Sequence, residues 1–274
     1  MIDPFDYKEP SCALCGGKDF YYPDKDAPIG RIPVARVIEK LDECYNKNDM
    51  LEASRLLFYW QEEAKSLKDL QGELSIVNEL LGHLRKINDV EKGLLAIDRA
   101  LYLINSLDSE NSVSSATIYL NIATTLKAFS KSKDALPLFD KAFAIYSKDL
   151  EKNKPYLSGF YNNKALTLVD LKNYDGAIEC YNLALDNLKF TDRELVDGAI
   201  TFVNMAHLYD VLDNRQKTID CLFSAFDLLN NEQNEKNGYY AYVLSKCAPS
   251  FRQFGYQKIA DDFEKLSREI YERT

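Results

Sequence analysis

One residue pattern recurs along the chain about every 42 residues, and it constrains the fold more than any other feature of the sequence. Each copy places a small residue among apolar and aromatic residues at constant offsets. The clearest copies have Ala123, Ala165 and Ala206, preceded four residues earlier by Tyr119, Tyr161 and Phe202. The apolar residues follow the i, i+3, i+4, i+7 spacing of one helix face. The pattern therefore indicates stacked copies of one helical unit.

Three weaker copies extend the pattern in both directions. Two precede the clear copies and one follows them, with their apolar residues at Val37, Leu41 and Cys44, at Val77, Leu81 and Leu84, and at Leu244, Ala248 and Phe251. Each copy is interrupted in the middle by turn residues, at Asn48-Asp49, Asn88-Asp89, Ser130-Lys131-Ser132, Asn173, Asp213-Asn214 and Gly255. Asparagine, aspartate and serine at such points end one helix and cap the next. We predict an all-α fold of about six antiparallel helix pairs over residues 33–274, without a β-sheet.

The repeated residues resemble the tetratricopeptide pattern W-x2-L-G-x2-Y…A-x3-F, whose small eighth residue corresponds to Ala123, Ala165 and Ala206. The resemblance implies a right-handed α-solenoid whose first helices line a concave groove that binds peptides or proteins. The period exceeds the usual length of about 34 residues by roughly two helical turns. The copies are in this respect similar to the long repeats of kinesin light chain and of peptide-sensing bacterial regulators.

A column of asparagines is the most informative polar feature. Asn121, Asn163 and Asn204 each lie two residues before the small alanine of their copy, and Asn78 and Asn162 lie one step earlier in theirs. Asparagine is a poor helix former, so its recurrence at one position calls for a reason. The tetratricopeptide resemblance implies that this position faces the groove and holds the backbone of a bound peptide. The alternatives are shared repeat ancestry and hydrogen bonds between neighbouring helices.

These residues lead to a functional hypothesis, a scaffold that binds a protein or peptide in the groove. Thr124, Lys127, Arg85 and His207 are predicted to line the same surface as the asparagines. Two alternatives are a structural homo-oligomer and a peptide-sensing regulator that lacks its effector domain. Neither the identity of the partner nor the oligomeric state follows from the sequence.

The sequence predicts neither an enzyme nor a bound cofactor. The motif places no serine or cysteine beside His83 or His207, the only histidines, as a nucleophile for them to activate. The glycines at Cys15-Gly16-Gly17-Lys18 lack the strand–loop–helix context of a phosphate-binding loop. Carboxylates on amphipathic helices usually form a solvated face. We therefore expect no catalytic or metal-binding residues.

Net charge and hydropathy restrict the partners. A formal net charge of −9 repels nucleic-acid phosphates and anionic membrane surfaces. No apolar run approaches the roughly 18 residues needed to span a bilayer, and Met1–Pro10 lacks the basic start and apolar core of a secretory signal. We expect a cytoplasmic protein whose partner is a neutral or basic polypeptide, and neither nucleic acid nor a membrane.

Residues 1–32 form a separate irregular arm rich in proline and aromatic residues. Exposed aromatic side chains are costly, so we expect the arm to pack either over the first hairpin or in the groove as a pseudo-ligand. Cys12 and Cys15 have the spacing of half a zinc site, which needs four ligands. Free thiols, a metal shared across a dimer and a redox function remain the alternatives. The other cysteines are expected to be reduced core residues.

Overall fold

The computed structural model describes residues 28–191 and 193–273, and short turns join its helices in pairs. The α-helices are α1 (Val34–Asn46), α2 (Met50–Ser66), α3 (Leu70–Ile87), α4 (Val90–Ser106), α5 (Val113–Ala128), α6 (Ser132–Tyr146), α7 (Leu150–Asp170), α8 (Tyr174–Asp186), α9 (Glu194–Val211), α10 (Arg215–Leu229), α11 (Gly238–Gln253) and α12 (Gln257–Arg273). Short 3-10 helices at Ser147–Asp149 and Leu188–Phe190 precede α7 and α9. These residues contain no strand, so the predicted all-α fold of six helix pairs is confirmed.

The turns inside the six pairs share one backbone conformation. A residue with positive φ ends the first helix, namely Asn48, Asn88, Ser130, Lys172, Asp213 and Gly255. In four turns the next residue, Asp49, Asp89, Asn173 or Asn214, caps the second helix by accepting a backbone N–H. Asparagine, aspartate and glycine tolerate left-handed backbone better than other residues. The turns therefore lie where the sequence predicts them.

The helices group into two compact units. Of the described residues, the first consists of 28–44 together with Asp49–Lys148, and the second of Tyr45–Asn48 together with those after Lys148. In the first unit α3 packs against α2, α4 and α5, and α5 packs against α6. In the second unit α9 packs against α7, α8, α10 and α11, and α11 packs against α12. The first helices α3 and α5 are therefore neighbours in the first unit, and α7, α9 and α11 follow one another in the second.

The small residues of the repeat lie in the core. Ala123, Ala165 and Ala206 have no exposed surface, and neither do Ala142, Ala184 and Ala225 of the corresponding second helices. Methyl-sized side chains at these positions let helix backbones approach closely, so their predicted burial is confirmed. A residue two positions before such an alanine is rotated by about 200° around the helix. This rotation places the asparagine column on the side away from the core.

The chain immediately before α1 is attached to the turn between α2 and α3. The backbone N–H of Ile29 donates to the Leu67 carbonyl at 2.9 Å, and that of Ile32 donates to Asp69 Oδ2 at 3.0 Å. Asp69 also caps α3 by accepting the N–H of Gly72 at 3.0 Å. The last residues of the predicted arm thus belong to the first unit. Most of that arm, with Cys12 and Cys15, lies outside the described residues.

Candidate functional site

In the first unit, two predicted asparagines are joined by a hydrogen bond between neighbouring first helices. Asn121 Nδ2 on α5 donates to Asn78 Oδ1 on α3 at 2.7 Å. Asn78 Nδ2 donates in turn to Glu79 Oε1 at 3.2 Å. Asn78 is only 6% exposed, whereas Asn121 and Glu79 are half-buried. The result is a hydrogen-bonded chain that runs from α5 to α3 and ends on a carboxylate.

In the second unit, Asn204 repeats this contact two copies further on, whereas Asn163, in the copy between, does not. Asn204 Nδ2 on α9 donates to Asn162 Oδ1 on α7 at 3.2 Å. Asn163 Nδ2 instead donates to the Gly159 carbonyl of its own helix at 2.8 Å. All three side chains are half-buried. Asn121 and Asn204 thus make the inter-helix bonds given above as an alternative, while Asn163 makes only a local one.

Counting donors and acceptors shows what the asparagines still offer. A carboxamide carries two N–H donors and one carbonyl acceptor. Asn162 Nδ2 and Asn204 Oδ1 bond to none of the described residues. The pair therefore leaves three N–H donors, two on Asn162 and one on Asn204, and the Asn204 carbonyl as an acceptor, all on half-exposed residues. The corresponding acceptors in the first unit are Asn121 Oδ1 and the Glu79 carboxylate.

The other predicted groove residues lie on the same first helices. Thr124 is half-buried and its hydroxyl donates to the Leu120 carbonyl at 2.8 Å. Arg85 and Lys127 are half-buried in the last turns of α3 and α5, and both interact with neighbouring groups. Each is a cation near a helix C-terminus, where it complements the helix dipole.

Both histidines contact a serine that the repeat pattern did not point to. His207 Nε2 lies 2.8 Å from Ser250 Oγ on α11, and His83 Nε2 lies 2.6 Å from Ser54 Oγ on α2. Burial lowers the pKa of both histidines, and Asp210 partly offsets this effect at His207. These serines were missed because they lie 29 and 43 residues away on other helices.

The geometry of these pairs does not suit nucleophilic catalysis. Ser54 Oγ donates its proton to the Met50 carbonyl at 3.0 Å, so it accepts from His83 rather than donating to it. A general base must instead accept the proton of its nucleophile. Ser250 is buried between packed helices, which keeps a substrate away from its hydroxyl. Both contacts are hydrogen bonds that link neighbouring helices.

Charged residues occupy the position of the asparagine column in the three other copies, beginning with Glu39, two residues before Leu41. In the second copy the residue two before Leu81 is Glu79, and in the last copy the residue two before Ala248 is Lys246. Lys246 is exposed, and its ammonium lies 5.4 Å from the centre of the Tyr242 ring. Sequence reasoning missed all three because it looked for a recurring residue type. Reading the column position by position finds them.

The second unit also contains a cavity of about 590 Å³ that none of the predicted residues lines. It lies between the connection from α8 to α9 and the connection from α10 to α11. The Arg193 guanidinium lies 4.3 Å from the centre of the Tyr239 ring, and the Tyr239 hydroxyl donates to Asp197 Oδ1 at 3.0 Å. Burial raises the pKa of Asp197. This cavity is separate from the asparagine column and forms no part of the candidate site.

Residues 158–187 match the family model of the tetratricopeptide repeat. They cover most of α7 and all of α8, which is the pair that carries Asn162 and Asn163. The chain carries a tetratricopeptide repeat. The tetratricopeptide resemblance predicted from the sequence is therefore confirmed. Tetratricopeptide repeats in general mediate protein interactions, whereas the use of a particular surface here is a separate question.

Several solved structures resemble the chain at low sequence identity. A putative kinesin light chain of Podospora anserina with nearly identical repeats has a TM-score of 0.48 at 13% identity, covering 71% of this chain and 92% of that one. BtubC from P. vanneervenii has a TM-score of 0.47 at 16% identity, covering 87% and 91%. A tetratricopeptide repeat protein from Parabacteroides merdae has a TM-score of 0.41 at 16% identity, covering 86% and 98%. No curated protein matches the sequence.

Proposed function

We propose that the chain is a cytoplasmic scaffold that binds an extended segment of another polypeptide along its tetratricopeptide first helices. The observation that carries the proposal is the Asn162–Asn204 pair, whose Asn162 Nδ2 and Asn204 Oδ1 are a donor group and an acceptor without a described partner. An extended peptide residue presents one N–H and one C=O, and both need partners once water is excluded. The pair can satisfy both groups without reading the peptide's side chains.

The remaining residues of the surface supply specificity in this proposal. Within the second unit Asn163 adds a backbone contact, and within the first unit Asn121, held by Asn78 through a 2.7 Å bond, makes a backbone contact of its own. Thr124, Lys127, Arg85 and His207 contact the ligand's side chains. Each neutral hydrogen bond contributes about 0.5–1.5 kcal/mol net. Loss of two such bonds weakens binding by about 1–3 kcal/mol, or roughly 5- to 150-fold.

Asn163 and Asn204 differ in how much their substitution changes the stability of the fold. Asn163→Ala removes only a bond to the carbonyl of its own helix, so we expect almost no change in stability. Asn204→Ala also breaks the bond to Asn162, which costs about 0.5–1.5 kcal/mol of folding free energy. Asn230→Ala is a matched control, because Asn230 makes the same i to i−4 bond as Asn163, to Phe226, at the end of second helix α10.

The test is a selection of random displayed peptides on the purified full-length protein. Affinities of the selected peptides for the wild type, Asn163→Ala, Asn163→Ala with Asn204→Ala, and Asn230→Ala are then measured by fluorescence anisotropy, with melting curves alongside. We expect weakened binding in the first two variants and unchanged binding in the third. Unchanged affinity in the folded double variant moves the site elsewhere. A large loss of stability in Asn163→Ala identifies the asparagines as structural.

A homo-oligomeric scaffold is the second candidate, favoured by exposed apolar side chains on second helices of the first unit. Leu51 and Tyr59 on α2, and Leu95 and Tyr102 on α4, are each more than half exposed. Light scattering after size-exclusion chromatography over a hundredfold range of protein concentration tests it. A mass that rises with concentration, and returns to that of the monomer in Tyr59→Lys with Leu95→Lys, supports self-association. A constant monomer mass excludes it.

We further propose that the scaffold works without catalysis or a cofactor and binds neither nucleic acid nor membranes. The net charge of −9 opposes both kinds of phosphate surface. Among the described residues, every helix is too short or too polar to cross a bilayer. Binding of duplex DNA or of phosphatidylserine vesicles at low salt, where electrostatic attraction is strongest, contradicts this part of the proposal.

A further inference from the structure

Glu79 stands where three other copies of the repeat have asparagine. It lies two residues before Leu81, the residue that corresponds to Ala123, and so it shares the position of Asn121 on the neighbouring helix. The two helices, α3 and α5, pack against each other. If the asparagine position contacts a bound peptide, Glu79 therefore presents a carboxylate to that peptide beside Asn121.

The hydrogen bonds around Glu79 hold the carboxylate in place. Asn78 Nδ2 donates to Glu79 Oε1 at 3.2 Å, and Asn78 Oδ1 accepts from Asn121 at 2.7 Å. Asn78 is more than nine-tenths buried, so its bonds fix the positions of both neighbours. Glu79 and Asn121 Oδ1 are thus two acceptors anchored on one buried amide. Their relative placement is preorganised, which reduces the entropy lost on binding.

No cation of the described residues forms an ion pair with Glu79. Burial raises the pKa of the Glu79 carboxyl above its ordinary value, and Asp42 on α1 adds to this rise. The hydrogen bond from Asn78 and the positive charge of Lys86 oppose it. A half-buried carboxylate without a counter-ion loses hydration and gains little in return. Glu73 on the same helix shows the usual solution, since Arg99 donates two 2.7 Å bonds to it.

We propose that Glu79 and Asn121 Oδ1 together bind a basic side chain of the peptide ligand, with arginine preferred over lysine. The guanidinium is a planar fork that can donate two parallel bonds to a carboxylate and further bonds to a neighbouring carbonyl. A bound cation forms with Glu79 the ion pair that none of the described residues supplies. The inference rests on the proposed peptide-binding function and adds the chemical class of one ligand residue.

The test uses two small probes, N-acetyl-arginine amide and its neutral isostere N-acetyl-citrulline amide. The full-length protein is titrated with each probe while NMR follows the side-chain carboxyl carbon of Glu79 and the amide groups of Asn78 and Asn121. We expect the arginine probe to shift these signals and to lower the pKa of Glu79, because a cation stabilises the ionised carboxylate. We expect citrulline to bind at least about tenfold more weakly, since it keeps the shape without the charge.

Two variants complete the test. Glu79→Gln keeps the shape and an acceptor for Asn78 but removes the charge, and we expect it to lose the preference for arginine. Glu91→Gln makes the same change in net charge at an exposed position on α4 and leaves the preference intact. If Glu79→Gln fails to fold, the comparison of the two probes on the wild type still tests whether the site prefers a cation.

Failure of this inference and failure of the proposed function are distinguishable. Equal shifts with both probes, or an arginine preference that survives in Glu79→Gln, overturn the inference. Selected peptides that still require Asn163 and Asn204 leave the proposed function standing. An arginine preference that depends on Glu79, with no effect of Asn163→Ala and Asn204→Ala on peptide affinity, supports the basic-residue site and rejects the backbone contacts of the second unit.

Discussion

Tyr181 offers a clear test of the packing, because its hydroxyl is buried without a hydrogen-bond partner among the described residues. The residue lies on α8 and has no exposed surface. Burial raises the pKa of its phenol well above the ordinary value, which reflects the same loss of hydration. At the corresponding position of the preceding helix pair the chain has Phe139, which is equally buried. The repeat therefore accommodates the ring without the oxygen, and Tyr181→Phe should stabilise the protein.

The magnitude follows from two opposing terms. A buried hydroxyl without a partner costs about 1–3 kcal/mol relative to water. Removing one oxygen atom leaves a small void, and a cavity cost of about 24 cal/mol per Å³ makes this a few tenths of a kcal/mol. We expect Tyr181→Phe to raise the free energy of unfolding by about 1–2 kcal/mol. Each kcal/mol corresponds to a rise of about 2–4 °C in Tm for a chain of this size class.

Two matched variants separate the missing bond from a general effect of tyrosine. Phe139→Tyr introduces a buried hydroxyl at the corresponding position and should destabilise by a similar amount. Tyr146→Phe removes a hydroxyl that lies 3.1 Å from Thr117 Oγ1, so it should destabilise by about 0.5–1.5 kcal/mol. Urea unfolding followed by circular dichroism measures all three. A lower unfolding free energy for Tyr181→Phe would show that the hydroxyl has a partner, such as a bound water.

Other features of the structure lead to three more predictions. Ala165→Leu overpacks the contact between α7 and α8 and should lower the free energy of unfolding in urea by about 1–3 kcal/mol. An unchanged midpoint of the urea transition would mean that the assigned helix register is wrong. Burial raises the pKa of the Cys180 thiol, that of Cys221 to about 11 and that of Cys247 to about 12. Iodoacetamide at pH 8 should therefore alkylate these three cysteines of the native protein much more slowly than half-buried Cys44. Peptide mass spectrometry measures the extent of alkylation at each cysteine. The pKa of His83 and of His207 is lowered in the folded state, so the unfolded chain takes up protons first and stability should fall as the pH drops below about 6.5. Glu79 and Asp197 have raised pKa values, so their protonation stabilises the fold as the pH drops and opposes the effect of the histidines. Each histidine is therefore titrated individually by NMR. A pKa above 6.5 for either histidine contradicts the burial argument.

Much of the fold could be predicted because the repeat is local. The spacing of Tyr119 and Ala123 specifies a helix face, and Asn88-Asp89 specifies a left-handed turn followed by a cap, as the structure shows. Both depend on interactions within a few residues, which sequence patterns record directly. Recurrence of the pattern in six copies then determined which faces are buried, because neighbouring copies must cover each other's apolar surface. The same alignment also placed the asparagines on the opposite side of the first helices.

The tertiary structure decided what those polar side chains contact. Equal positions in the repeat predict equal faces, yet Asn121 and Asn204 bond to a neighbouring helix while Asn163 bonds to its own. The difference comes from the preceding copy, since Asn78 and Asn162 stand beside the first two. The contact between His207 and Ser250 likewise joins residues 43 positions apart. A repeat pattern that records the residue type at each position does not predict such pairings. Hydrogen bonds between side chains depend on their rotamers and on the spacing of the helices, which only the packed core establishes.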